Sequence, residues 1–216
     1  MSLRDELAEF AAAGKKSFDP NRAAIYAKQS AAIAETPILD KALRTGDTAP
    51  MFELPDAYGR PVRLQDLLAA GPVILSFYRG SWCPFCNLEL RALQRELDNV
   101  VNAGARLVAI SPNRPDISVE LIDKLELTFP VLSDRDNRVG EQFGLVYEVI
   151  PEQRDLYLAG GRDLRELNGS ERWTLPVPAT YVIDRAGTIR FDFIDLNHRV
   201  RAEPSEVVAV AASLPG

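Results

Sequence analysis

The chain has 216 residues, 46% of them apolar and 26% charged, a balance that fits a soluble globular protein and excludes a disordered chain, a collagen and a coiled coil. A domain of this size buries roughly 70% of its unfolded surface, so no disulfide or metal staple is required. Lys and Arg total 25 against 31 Asp and Glu, a net charge of −6 with no basic run, which argues against nucleic acid or an anionic membrane as partner.

Residues 1 to about 44 read as a helical extension. Leu3, Leu7, Phe10 and Ala11 follow helical spacing. A second helix opens at Asp19-Pro20, with Asp19 as N-cap and Pro20 in the first turn, and carries Ala24, Ile25, Ala27, Ala31, Ile33 and Ala34. Gly14 separates the two, and Thr36-Pro37 closes the second. Charges mixed through residues 1–36 leave no signal-peptide core, so the cytoplasm is the expected compartment.

The main domain spans 45–216. Residues 46–70 are turn-rich, with a short helix over Leu64 to Ala69. Val73 to Tyr78 is a continuous apolar run bounded by Gly71-Pro72 and Gly80, as in a strand buried on both faces. The longest strongly apolar run, Pro72 to Tyr78, is far short of the roughly 20 residues that span a bilayer. A helix is predicted from Pro84 to about Ala103, with Leu90, Leu93, Leu97, Val100 and Val101 on one face and Gly104 at its end. Next come a strand over Arg106 to Ser111, a helix from Arg114 to Leu125, a short strand over Phe129 to Leu132 and a short helix over Arg138 to Phe143. Residues 144–176 read as an insertion with a helix from Glu152 to Leu158. Thr180 to Ile183 and Thr188 to Ile194 form a hairpin across Asp184-Arg185-Ala186-Gly187, and a helix over Glu203 to Leu214 ends the chain. The order β–α–β–α–β, then a hairpin and a helix, gives an α/β fold: a central mixed sheet flanked by helices.

The two cysteines fall in one tetrapeptide, Cys83-Pro84-Phe85-Cys86, and the single histidine, His198, is far away. A disulfide scaffold is impossible, and a zinc site built from Cys and His lacks its remaining ligands, so no metal and no cofactor are expected. The tetrapeptide lies between a buried strand and a helix. Cys83 is the N-cap, Pro84 the first helical residue and Cys86 the third. Free amides and the positive end of the helix dipole favour thiolate at the N-cap, and such positions lower a cysteine pKa from about 8.5 to as little as ~3.5. Residues three apart on a helix lie roughly 5–6 Å apart at Cβ, so a small adjustment of the first turn closes a disulfide. A loop this short gains little stability from a bond, which fits a bond that is made and broken. The alternatives are half a zinc site and two inert buried thiols.

Three motifs carry a family resemblance over about residues 46–214. Gly46-Asp47-Thr48-Ala49-Pro50-Met51-Phe52-Glu53-Leu54, followed by Gly59 and Leu64-Gln65-Asp66-Leu67, resembles the opening of the alkyl hydroperoxide reductase C / thiol-specific antioxidant (peroxiredoxin-like) family. Phe77 to Cys86 resembles the active-site region of its thioredoxin-like branch. Pro178-Ala179-Thr180-Tyr181-Val182-Ile183 and the turn after it resemble the strand pair that carries the cis-proline of thioredoxin folds. The resemblance implies a thioredoxin-like fold, Cys83 as attacking thiolate, Cys86 as its resolving partner, and a cis Val177–Pro178 bond facing the cysteines and an incoming substrate.

Peroxiredoxins carry Pro-x-x-x-Thr-x-x-Cys before the reactive cysteine, where this chain has Ser76 and Gly80, and an arginine where this chain has Pro178. Arg79 is the candidate substitute, with a surface ion pair as its alternative. Trp82 is expected to cover the sulfur and contact a partner. Asp66 and Asp184 read as turn or cap residues, Glu89 as part of a solvated helix face, Ser81 as an exposed loop serine and His198 as without a role.

Three functions stay open at this point. One is a thiol peroxidase that forms a Cys83 sulfenic acid and a Cys83–Cys86 disulfide, recycled by a thioredoxin- or glutathione-type reductant. Another is a protein disulfide oxidoreductase. The third is a redox sensor or binding module without enzymatic activity. The amphipathic N-terminal helices need a surface, which makes a homodimer a candidate assembly.

Overall fold

A computed structural model describes residues 1–15 and 19–214. In chain order the helical extension forms α1 (Leu3–Lys15), α2 (Pro20–Ala34) and the single turn α3 (Ile38–Lys41). Asp19 caps α2, accepting from the Asn21 N–H at 2.9 Å, with Pro20 in the first turn. A hairpin of β1 (Glu53–Pro55) and β2 (Pro61–Arg63) leads into α4 (Leu64–Ala70), β3 (Val73–Phe77), α5 (Pro84–Arg95) and α6 (Leu97–Asn102). Next are β4 (Arg106–Ser111), α7 (Pro115–Leu125), β5 (Val131–Ser133) and α8 (Arg138–Gln142). Residues 144–176 form β6 (Val146–Glu148), α9 (Pro151–Ala159), α10 (Leu164–Asn168) and β7 (Thr174–Pro176), and the chain ends with β8 (Ala179–Ile183), β9 (Ile189–Ile194) and α11 (Pro204–Ala212).

The main sheet has the order β5-β4-β3-β8-β9. β3, β4 and β5 are parallel, β8 runs antiparallel to β3, and β9 antiparallel to β8. This is the expected mixed sheet. β3 sits at its centre and is buried along its whole length, which is why it reads as an unbroken apolar run. Successive side chains still point to opposite faces. Ile74 enters the core under α1, α5, α7 and α11, with Leu90, Leu121 and Val207. Val73, Leu75 and Phe77 enter the core on the other face, with Leu64 and Leu68 of α4 and Val139 of α8. The β8–β9 turn is set by Asp184, whose carboxylate accepts from the Ala186 and Thr188 N–H groups, each at 2.9 Å, as an Asx-type turn residue does.

Some expectations shift. The helix after the cysteines breaks at Glu96 (φ −92°, ψ 0°), so α6 buries Val100 and leaves Val101 58% exposed. The insertion contains a β6–β7 ladder and a second helix, α10. No cis peptide bond occurs among the described residues, so Val177–Pro178 is trans, contrary to the family resemblance. Just past the end of β7, the Val177 N–H donates to Leu145 O at 2.8 Å.

Candidate active site

Two turns aim the first helical turn of α5. Gly80 has φ +142°, in the region that glycine alone adopts without strain, and a Cβ there would lie 2.6 Å from Trp82 Nε1. The backbone therefore excludes the threonine that the peroxiredoxin motif has at this place. Asn113, from the loop after β4, accepts the Ser81 N–H at 2.8 Å, and Asn87 of α5 donates to Ser81 O at 3.0 Å. Asn113 also donates to Asn168 Oδ1 of α10 at 2.8 Å, which ties the insertion to the cysteine loop. Ser81, expected as an exposed loop serine, is held at both of its backbone polar groups.

Cys83 is the N-cap of α5 (φ −92°, ψ 109°) and Pro84 is in the first turn, as the sequence predicts. Both thiols are free and buried. The helix amides are not the main support of the Cys83 sulfur: the Cys86 N–H is the weakest of the groups that hold it. Burial alone would raise its pKa. The Cys86 thiol, which hydrogen-bonds to it, then Arg79 and Arg201, and last the Cys86 backbone N–H, outweigh that and bring it down to about 5. Burial and the Cys83 sulfur push Cys86 well up, so one cysteine holds the charge and the other holds the proton.

The two guanidiniums differ in their counter-charges. Arg201 Nε is 2.7 Å from Glu89 Oε2, both residues are buried, and its Nη2 lies 3.4 Å from Cys86 Sγ. Glu89 therefore belongs to the buried site and not to a solvated face. It follows Cys86 by three residues, on the same buried face as Leu90 and Leu93. Arg79 is buried with no carboxylate partner among the described residues. Its Nη2 donates to the Tyr157 hydroxyl at 2.6 Å, Tyr147 accepts another hydrogen bond, and its guanidinium lies 5.0 Å from the Trp82 ring centre. A buried cation without an anion is costly, and the Cys83 thiolate supplies the missing charge.

Trp82 packs on Tyr157 with ring centres 5.1 Å apart. His198 packs edge-on against Phe85 at 5.7 Å. Burial, then Arg79, Arg201 and Arg199, lower its pKa well below the usual imidazole range, so it is neutral at pH 7. Val177 and Pro178 are buried in the wall of a small chamber that Arg79 and His198 also line. No group of three or more His, Cys, Asp or Glu side chains among the described residues could hold a metal ion. Of the residues singled out in the sequence, the structure brings Cys83, Cys86, Trp82 and Arg79 together and places Val177 and Pro178 in the wall of the chamber beside Arg79; Glu89, Arg201, Tyr147 and Tyr157 join them without having been read as site residues.

The AhpC/TSA family profile matches residues 45–192. The chain belongs to the AhpC/TSA family. Peroxiredoxin Bcp of Escherichia coli is 36% identical over 103 residues, 48% of this chain and 65% of that protein, so the match spans just under two thirds of the relative's length. The crystal structure of peroxidoxin BcpB from Mycobacterium tuberculosis covers 81% of this chain and 99% of its own at 24% identity, with a TM-score of 0.63. Peroxiredoxin Q from Xanthomonas campestris covers 80% and 94% at 17% identity, with a TM-score of 0.57. These likenesses give this AhpC/TSA protein its thioredoxin-like fold. Among its described residues, no helix is long and apolar enough to cross a membrane.

Proposed function

We propose that this AhpC/TSA protein is a thiol peroxidase. The Cys83 thiolate attacks one oxygen of a hydroperoxide. An S–O bond forms and the O–O bond breaks, so sulfur is oxidised by two electrons and the second oxygen leaves as hydroxide or alkoxide, which takes up a proton. The Cys83 sulfenic acid then condenses with the Cys86 thiol, giving the Cys83–Cys86 disulfide and water. A thioredoxin-type dithiol, or two molecules of a glutathione-type thiol, then reduces the disulfide to both thiols in the cytoplasm and is itself oxidised to a disulfide. Residues 45–216 carry the chemistry and residues 1–44 extend it.

The observation that carries this reading is the charge pattern around the sulfurs. Cys83 is held as an anion at neutral pH by a proton-bearing Cys86 and two guanidiniums. A thiolate is the nucleophile that peroxide requires. The protein disulfide reading needs the backbone at Val177 and Pro178 open to an extended partner chain. Both residues are buried and the Val177 N–H is already bonded to Leu145, which favours the small substrate.

The test mixes reduced protein with stoichiometric hydrogen peroxide and counts thiols after acid quench. Peroxidase chemistry predicts loss of both thiols far faster than from free cysteine, and a trapped sulfenic acid in Cys86→Ser. Slow loss together with rapid reduction of an insulin disulfide, and a mixed disulfide in Cys86→Ser, would move the assignment to the disulfide oxidoreductase.

A further inference from the structure

A small chamber of about 20 Å³, partly open to solvent, lies between α2, the insertion and the cysteine loop. Gln29 and Ile33 of α2 roof it, and Arg79, Gln153 and His198 are among the residues that complete its lining. Gln153 is 1% exposed, yet neither its Oε1 nor its Nε2 has a hydrogen-bond partner in the protein, and Arg79 Nε has none either. Buried polar groups without partners are rare, so two such side chains lining one chamber point to a ligand. Cys83 itself does not line the chamber; Arg79 is the link to chemistry, since it lines the chamber and is among the charges that stabilise the Cys83 thiolate.

We infer that Gln153 and Arg79 form the peroxide-positioning pocket of this protein, and that α2 closes it to a size which selects hydrogen peroxide over bulky alkyl hydroperoxides. This rests on the peroxidase reading above. The donor and acceptor inventory fits: Gln153 Oε1 accepts a peroxide O–H, Gln153 Nε2 and Arg79 Nε donate to peroxide oxygens, and Arg79 stabilises the hydroxide that leaves. The size fits too. About 10–15 Å³ of such volume holds one water, so this chamber takes a molecule of two oxygens and leaves no room for a tertiary carbon or a phenyl ring. The roof is pinned by polar contacts. Gln29 accepts the Ile150 N–H at 2.9 Å and donates to Glu148 O at 3.3 Å, and Lys28 is paired with Glu152. Gln153 acts here as a positioning residue, and it lies in a segment outside the three sequence motifs that carry the family resemblance.

The test follows thiol oxidation by rapid mixing with hydrogen peroxide and with cumene hydroperoxide, in the full-length protein, Gln153→Leu and Ile33→Ala. Thiolate absorbance in the ultraviolet serves as the control for the state of Cys83. The expected result is a hydrogen peroxide rate roughly tenfold or more below wild type in Gln153→Leu with an unmoved thiolate titration, as loss of substrate positioning gives. In Ile33→Ala the ratio of cumene to hydrogen peroxide rates should rise about tenfold, as enlarging an apolar wall does. A wild type that reacts quickly and equally with both peroxides, or a Gln153→Leu rate matching wild type, overturns the inference and leaves the peroxidase standing. A wild type no faster than free cysteine with either peroxide removes both. Should Gln153→Leu fail to fold, the rate ratio in Ile33→Ala decides, and an unchanged ratio counts against the pocket.

Discussion

Arg201 and Glu89 meet at 2.7 Å with both side chains only 2% exposed, and the same guanidinium reaches to 3.4 Å from Cys86 Sγ. The pair joins the loop before α11 to the first turns of the cysteine helix. Removing one partner leaves the other charge buried alone, which costs about 3–5 kcal/mol. Glu89→Ala should therefore lower the unfolding free energy by that order in urea titrations. Glu89 is also one of the groups that raise the Cys86 pKa, so the variant should make Cys86 more acidic. A stability loss below about 1 kcal/mol, the range of exposed pairs, would mean that water reaches the pair in solution.

The pH behaviour of Cys83 follows from its surroundings. With a pKa near 5, the sulfur should titrate as thiolate well below neutrality, read by ultraviolet absorbance of the reduced protein. Arg79→Met removes one of its two positive neighbours and should move the midpoint up, toward the ordinary thiol value of about 8.5. The linkage to folding has a fixed sign. The folded pKa lies below the unfolded one, so the stabilisation is complete above about pH 8.5 and is lost as pH falls toward about 5. The difference in unfolding free energy between wild type and Cys83→Ser should widen as pH rises across that window. A flat difference would show that the thiol is neutral in the folded state.

Gly80→Ala tests how the cysteine loop is held. The substitution combines a positive φ of +142° with a Cβ 2.6 Å from Trp82 Nε1 and 3.0 Å from Asn113 Oδ1. Gly46→Ala is the control, since Gly46 has φ +101° and nothing within 4 Å of its Cβ position. Backbone strain costs about 1–3 kcal/mol at either site. Gly80→Ala should cost more than Gly46→Ala and should also shift Trp82 fluorescence, because the indole must move off Arg79 and Tyr157. Equal losses with unchanged fluorescence would place the strain in the backbone alone.

The sheet was readable because its central strands are unbroken apolar runs between Gly-Pro breaks, and the cysteine N-cap because Pro84 marks a first helical turn. β1, β2, β6 and β7 have three residues each, too few for alternation to register. Arg201 was invisible as a site residue, since 115 residues separate it from Cys86 and only the fold brings it back. Glu89 did leave a signal: Cys86, Glu89, Leu90 and Leu93 share one helical face, and a carboxylate on an apolar face needs a buried cation. Gln153 and Tyr157 are four apart on α9, a spacing that brings both to one side but does not say what they meet. The cis proline was carried over from the resemblance, and the hydrogen bond from Val177 to Leu145 belongs to an insertion that the shared motifs do not describe.

The first helix supports the site from behind. Leu3 and Leu7 are buried in the same core as Cys83, Cys86, Leu90 and Leu93, and Phe10 packs edge-on against Phe85, between the two cysteines, at 5.2 Å. Glu203, at the N-cap of α11, accepts the Leu3 N–H at 3.0 Å and the Arg4 N–H at 3.2 Å, filling two of the donors that an α-helix leaves free at its start. Helix α1 is thus fixed at its end by hydrogen bonds and along one face by burial. Leu7→Ala opens a cavity against α5 and should cost about 2–5 kcal/mol, measured by urea unfolding. Glu203→Ala removes the cap and should cost about 0.5–2 kcal/mol. Both act on α1 from separate contacts, so the double variant should lose close to the sum of the single losses if α1 stays docked. A double variant no less stable than Leu7→Ala alone would mean that the first substitution already frees the helix from the core.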